Sequence, residues 1–364
     1  MKIINVVGTR PNFIKIAPLM EQMLQVPSIN PILLHTGQHF DENMSQVFFD
    51  QLKISKPNIY LGVGSENSIN LINKIVKRFD PILEREDPDA VLVVGDVNST
   101  LACALAASSR GIPIIHVEAG LRSFDNSMPE EKNRYTTDHL SELMFVTEKS
   151  GLENLAKEKV DPKKVHFVGN VMVDTLRKNS ELAERNSRIL ETLKLKERQY
   201  AVVTLHRPSN VDKVNILKPI LETIRKLTKE LKVVFPVHPR TIEKIKEFNL
   251  EYTINTVTTT APLPYLDMLL LMSKARLVLT DSGGIQEETT ALGVPCITMR
   301  ENTERPITIE KGTNILGGNQ GASIWLAVKN VMKTGGKSGA IPDLWDGKAA
   351  NRIVKIISSW TPSC

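Results

Sequence analysis

Three carboxylates stand where short apolar runs end. They are Asp96 in Gly95-Asp96-Val97-Asn98-Ser99-Thr100, Glu118 in His116-Val117-Glu118-Ala119-Gly120-Leu121-Arg122, and Glu130 in the loop Met128-Pro129-Glu130-Glu131-Lys132-Asn133-Arg134. Acids gathered at strand ends, in surroundings of mixed polarity, can be tuned apart so that one gives a proton while another takes it. Further along, Thr204-Leu205-His206-Arg207-Pro208 ends a strand in a histidine suited to carrying a proton or donating to phosphate. His238, in Pro236-Val237-His238-Pro239-Arg240, occupies a similar strand end. Taken singly, each has a plainer reading: Asp96 fits a helix N-cap, Glu118 and Glu130 fit ion pairs with Arg122 or Arg134, and either histidine fits a hydrogen-bonded structural role.

Two other segments are suited to holding an anion. Gly8-Thr9-Arg10-Pro11 joins a strand directly to a helix that carries Lys15, placing two cations at a helix N-terminus. Thr280-Asp281-Ser282-Gly283-Gly284-Ile285-Gln286-Glu287-Glu288 runs from a buried strand through a glycine turn into a helix, so that backbone N–H groups and the helix dipole face outward from the sheet. A diphosphate fits such a turn, and Glu288, roughly one helical turn further on, could accept both hydroxyls of a ribose. A glycine turn with acids that merely complement the dipole is the competing reading. Neither Gly-x-Gly-x-x-Gly nor a Walker A loop is present.

The elements that must position these residues alternate. Continuously apolar strands are expected at 2–7, 31–36, 90–94, 113–117, 143–147 and 164–168 in the first half, with helices such as 13–24 and 99–109 between them. After a polar stretch, 177–199, the rhythm restarts with strands at 200–205, 232–237, 277–280 and 294–299, and 351–360 reads as a closing helix. This pattern predicts an α/β protein of two doubly wound, Rossmann-like domains facing a cleft, with ligands at the carboxyl ends of the strands. The domains are expected at 1–172 and 173–349, with a terminal helix at about 350–364 returning to the first.

Composition narrows the function classes. The 364 residues suit two domains, and 46 Lys and Arg against 41 Asp and Glu leave a net charge of +5 with no basic block. That argues against a nucleic-acid partner. Three dispersed cysteines, Cys103, Cys296 and Cys364, make neither a disulfide framework nor a zinc site. His35 and His39 straddle Gly37 and so do not share a helical face. No run approaches the roughly 20 apolar residues of a membrane span, and a cytoplasmic enzyme with no membrane partner is expected.

Together and in this order, Gly8-Thr9-Arg10-Pro11, the segment from His116 to Arg122, Pro129-Glu130-Glu131, His206-Arg207, the segment from Asp281 to Glu288, and Thr303-Glu304-Arg305-Pro306 closely resemble the non-hydrolysing UDP-N-acetylglucosamine 2-epimerases. The resemblance spans nearly the whole chain. It implies the glycosyltransferase B architecture, a homodimer, and interconversion of UDP-N-acetylglucosamine and UDP-N-acetylmannosamine through 2-acetamidoglucal, a route that needs no cofactor or metal. Carried over by position, Asp96, Glu118, Glu130 and His206 are implied as catalytic. Arg10, Lys15, Leu263, Met268, Ser282, Gly283, Gly284, Glu288 and Arg305 are implied to hold the UDP-sugar, with Leu263 and Met268 in the uracil-side loop. Many bacterial members have Gln-His-Arg-Glu/Gln-Met, part of a second-site effector pocket, where this chain has Gln38-His39-Phe40-Asp41-Glu42-Asn43-Met44. The basic residue is missing, and the Phe-Asp-Glu-Asn-Met look recurs in relatives acting on UDP-2,3-diacetamido-glucuronate. Effector use and the exact sugar therefore stay open, as do a hydrolysing relative and a non-catalytic nucleotide-sugar binder.

Overall fold

The computed structural model describes residues 1–38, 51–52, 54–64 and 67–362, so the effector-like segment from His39 to Met44 lies outside the described residues. The chain divides into two compact units, one built from Met1–Arg177 with Asp343–Cys364 and the other from Lys178–Pro342.

The first unit holds a parallel sheet of β1 (Lys2–Val7), β2 (Asn30–His35), β3 (Ile59–Tyr60), β4 (Ala90–Val94), β5 (Ile114–Ala119), β6 (Leu143–Val146) and β7 (Val165–Phe167), in the order β3-β2-β1-β4-β5-β6-β7. The second holds β8 (Tyr200–Thr204), β9 (Lys232–Pro236), β10 (Thr258–Thr260), β11 (Leu277–Thr280), β12 (Cys296–Thr298) and β13 (Asn314–Leu316), parallel and in the order β10-β9-β8-β11-β12-β13. Both orders reverse direction once, between β1 and β4 and between β8 and β11. At such a switch point the loops on either side leave a crevice at the carboxyl ends of the strands.

The central strands are largely apolar because helices cover both faces: every residue of β4 and of β11 is buried. The sequence pattern misses β3, β10 and β13, which lie at sheet edges. An edge strand has one neighbour and needs no continuous apolar run, and β10 is Thr-Thr-Thr. The segment expected as a loop around Glu130 is instead the start of the helix Pro129–Leu140. Proline at its first position and two glutamates in its first turn favour a helix start there. Within the polar stretch 177–199, the helix Val171–Asn186 continues and a single turn forms at Ile189–Thr192. The Leu263–Met268 segment is likewise half helical, since Tyr265–Ser273 is a helix.

The last segment completes the first unit. Trp345 is buried and its indole N–H donates to the Thr147 carbonyl at 3.0 Å. The helix Ala349–Ser359 packs on the helix Arg10–Met23. Its first two free N–H groups, those of Ala349 and Ala350, are taken up by the two oxygens of Asp174 at 3.1 and 2.7 Å. Desolvation at this site raises the Asp174 carboxyl above its ordinary value, an effect the two N–H donors oppose.

Candidate functional site

In the first unit the expected residues gather at the ends of β1, β4 and β5. Asn12 Oδ1 accepts from the N–H groups of Gly8 and Thr9 at 3.1 and 3.0 Å, while its amide nitrogen donates to the Val94 carbonyl at 3.1 Å. The turn after β1 is thereby fastened to the end of β4. Arg10 begins the helix Arg10–Met23, and burial lowers its pKa from the ordinary value. One turn on, the buried Lys15 ammonium forms an ion pair with the equally buried Glu118. Both side chains pass over Gly95: a Cβ there would lie 2.9 Å from Lys15 Nζ and 3.3 Å from Glu118 Oε2. With φ at +68° as well, the position suits glycine alone.

Asp96, half-buried, does not cap the helix after it. Val97 is the N-cap residue there, and Asp96 Oδ2 is gripped by Arg134 through Nε at 3.0 Å and Nη2 at 2.7 Å. Arg134 also pairs with Glu131 at 2.6 Å, and Glu131 in turn accepts the N–H groups of Ser123 and Phe124. Glu130 lies half-buried in the first turn of the same helix. Arg122, offered by the sequence as a partner for Glu118, instead pairs with Asp138 at 2.7 Å and Glu158 at 2.8 Å.

Glu118 has an unusual backbone. Its φ is +78°, and the β5–β6 ladder slips there, pairing Val117 with Phe145 and Ala119 with Val146 so that Glu118 is left over. A bulge of this kind re-aims one side chain, and holding a non-glycine residue in the left-handed region costs about 1–3 kcal/mol. Such a cost is sustained only where the surroundings impose it.

The second unit places its residues at the ends of β8 and β11. Asp281 is fully buried and accepts four donors: the His206 ring through Nδ1 at 3.0 Å, the N–H groups of His206 and Arg207 at 3.0 and 2.8 Å, and the Asn210 amide at 3.2 Å. Burial would raise its pKa, but the charge and hydrogen bond of His206 and the two N–H donors outweigh this and bring it to about 2. Asp281 thus fixes the orientation of His206, whose side chain is 36% exposed. The His238 ring lies 5.5 Å from that of His206.

Ser282 is the N-cap residue of the helix Gly283–Leu292, yet its side chain makes no capping bond, so the first-turn N–H groups face outward. A Cβ at Gly283 would come within 2.6 Å of Glu304 Oε1 and 2.7 Å of Arg305 Nη1, so a larger residue would have to displace that buried ion pair. Arg305 is nearly buried, and its guanidinium meets Glu287 at 2.9 Å and Glu304 at 2.7 Å. Glu304 is shared with Arg300 and Arg207. Glu288 is buried, with Oε1 lacking a partner at hydrogen-bond geometry. Burial raises its pKa to about 7, the neighbouring Glu287 carboxylate adds to the rise, and the Tyr265 hydroxyl offsets only part of it. Leu263 and Met268 flank Tyr265 in sequence and are half-buried.

Among the described residues there is no group of three or more side chains able to hold a metal ion, and no helix long and apolar enough to cross a membrane. Residues 21–358 match the model of the family described as UDP-N-acetylglucosamine 2-epimerase. The chain belongs to the UDP-N-acetylglucosamine 2-epimerase family. Within that family it is 40% identical to the UDP-N-acetylglucosamine 2-epimerase of Methanocaldococcus jannaschii, over 98% of this chain and 99% of that protein. It is 36% identical to the UDP-2,3-diacetamido-2,3-dideoxy-D-glucuronate 2-epimerase of Pseudomonas aeruginosa, with the same coverage. A crystal structure of the M. jannaschii epimerase in complex with UDP-GlcNAc and UDP superposes with a TM-score of 0.93 at 39% identity, covering 99% of this chain and all of that one. The UDP-GlcNAc-bound epimerase of Neisseria meningitidis gives a TM-score of 0.91 at 30% identity, covering 99% and 100%. The fold of this family member is the α/β, glycosyltransferase B-like one of those structures.

Residues given no role of their own in the sequence reading prove central to both ends. Asp281 orients His206, Arg134 holds Asp96, and Asp138 holds His116 and Gly120 on either side of the bulge at Glu118. Asp281 and Arg134 carried a signal, one at a strand end before Ser-Gly-Gly and the other as a cation near the first-unit acids; Asp138 carried none.

Proposed function

We propose that the protein interconverts UDP-N-acetylglucosamine and UDP-N-acetylmannosamine by eliminating UDP and adding it back. C2–H of the sugar is not adjacent to a carbonyl, so its removal must be coupled to departure of the C1 substituent. A base takes the C2 proton as the C1–O bond breaks with its electron pair going to UDP, and 2-acetamidoglucal forms. UDP then re-adds to C1 while a proton is delivered to the opposite face of C2.

The observation that carries this reading is Glu118. It is a carboxylate on a strained bulge against the Lys15 ammonium, in a chain matched along nearly its full length by UDP-N-acetylglucosamine 2-epimerases. In this reading Asp96, Glu118 and Glu130 handle the proton and the oxocarbenium-like charge at C1. His206, oriented by Asp281, serves the departing diphosphate. Arg10, Lys15 and the Ser282-Gly283-Gly284 amides receive the phosphates, and Arg305 adds its charge from beneath Gly283. Glu288, with its unpartnered oxygen, accepts the ribose hydroxyls, and Leu263 and Met268 border the base. No cofactor enters this route.

Incubation with UDP-N-acetylglucosamine in deuterated water is expected to yield the manno epimer with deuterium at C2. Failure of both epimer formation and exchange overturns the reading. Turnover of UDP-2,3-diacetamido-glucuronate alone redirects it to that sugar, and stoichiometric release of UDP with free N-acetylmannosamine redirects it to hydrolysis. A cytoplasmic homodimer accompanies this reading through the family resemblance, and light scattering on the purified protein checks the stoichiometry.

A further inference from the structure

The positive φ at Glu118 needs a cause, and the structure supplies one within the same unit. His116 precedes the bulge and Gly120 follows it. A single fully buried carboxylate, Asp138 from the helix Pro129–Leu140, takes hold of both: Oδ1 lies 2.6 Å from His116 Nδ1, and Oδ2 accepts the Gly120 N–H at 3.1 Å. The other ring nitrogen, Nε2, is 2.9 Å from the carbonyl oxygen of Gly95, the residue before Asp96. Arg122 secures the far side of Asp138 at 2.7 Å. Neither His116 nor Asp138 has any exposed surface, so neither reaches a substrate.

We propose that His116 and Asp138 form a positioning clamp that fixes both flanks of the bulge and the end of β4, and thereby sets Glu118 and Asp96 at their working separation. This rests on the proposed reading of Glu118 and Asp96 as reacting groups. The clamp explains why one imidazole links β5, two residues before Glu118, to the end of β4 at the residue before Asp96. It also explains how a left-handed glutamate persists in a strand, since anchored neighbours on both sides leave it no relaxed alternative. The linkage acts on geometry, so its loss falls on the chemical step and spares nucleotide binding.

The test compares D138N, D138A and H116N with the unaltered protein and with E118Q. A displacement near 1 Å in a reacting group lowers turnover by about 100-fold, which is the fall in kcat expected for D138A. D138N recovers part of this, because an amide oxygen still accepts the Gly120 N–H. KM and the Kd for UDP stay within about threefold. H116N, which loses the tie to Gly95, falls between the two. Should D138A fail to fold, D138N and H116N carry the same comparison. Folded D138N and H116N with kcat within about twofold of the unaltered protein overturn the clamp, as do losses in which KM, UDP affinity and melting temperature change in step with kcat. Full activity in E118Q removes the reading of the site itself. An inactive E118Q beside fully active clamp variants removes the clamp alone.

Discussion

The two switch points share a topology and a place in their sheets but are built from different chemistry. In the first unit two of the acids are set against cations, Glu118 on Lys15 and Asp96 on Arg134, and the backbone is bent to aim one of them. In the second unit the charged side chains turn inward, with Arg305 on Glu287 and Glu304, and the crevice is lined by a glycine turn and uncapped N–H groups. The difference matches the two tasks of the proposed reaction. Proton transfer depends on the identity and aim of individual side chains, whereas an anion can be held by backbone donors as long as no side chain obstructs them.

That contrast is broken most directly at Glu118. E118Q keeps the shape of the side chain and removes its basicity, so kcat is expected to fall by about a thousandfold while UDP binds with unaltered affinity. Deuterium incorporation at C2 and calorimetric titration with UDP measure the two halves of that statement. G283A probes the opposite end. Its added methyl group meets Glu304 and Arg305, so UDP affinity is expected to drop by about tenfold or more with some loss of thermal stability. A G283A protein that binds UDP normally removes the turn from the anion site.

Glu288 gives a prediction with a sign. Its pKa is raised to about 7 in the folded protein, so between the ordinary carboxylate value and pH 7 the folded state holds a proton that the unfolded state has released. Its contribution to stability is therefore full below the unfolded value and is lost as pH rises through 7, on the order of 3 kcal/mol in all. Urea unfolding of E288Q from pH 5 to 8 is expected to lose that slope. If the ionised carboxylate receives the ribose, UDP affinity rises over the same range in the unaltered protein and stays flat in E288Q. S282A is expected to have the smallest effect. With no capping bond to lose, its stability without nucleotide changes by less than about 0.5 kcal/mol in chemical denaturation.

The sequence was legible where chemistry and periodicity coincide. Apolar runs ending in Asp96, Glu118, His206 and Asp281 locate both crevices, because an interior strand is continuously apolar up to the point where it reaches solvent. Edge strands such as β10 left no such trace. One ion-pair partner was misread because pairing depends on side-chain direction. Arg122 lies close to Glu118 in sequence yet reaches Asp138, and the helix Pro129–Leu140 brings Arg134 to Asp96. The clamp was invisible because Asp138 stands 22 residues from His116 and reads as one more polar residue on a helix.

The last helix bears on how the chain is made. Trp345 and the helix Ala349–Ser359, with its two N–H groups on Asp174, belong to the first unit but follow all of the second in sequence. On the ribosome, residues 178–342 therefore emerge and can fold while the amino-terminal unit still lacks its closing layer. The unit whose strands emerge first is thus completed after the other, and its open face must be kept from aggregating until the helix Ala349–Ser359 has emerged.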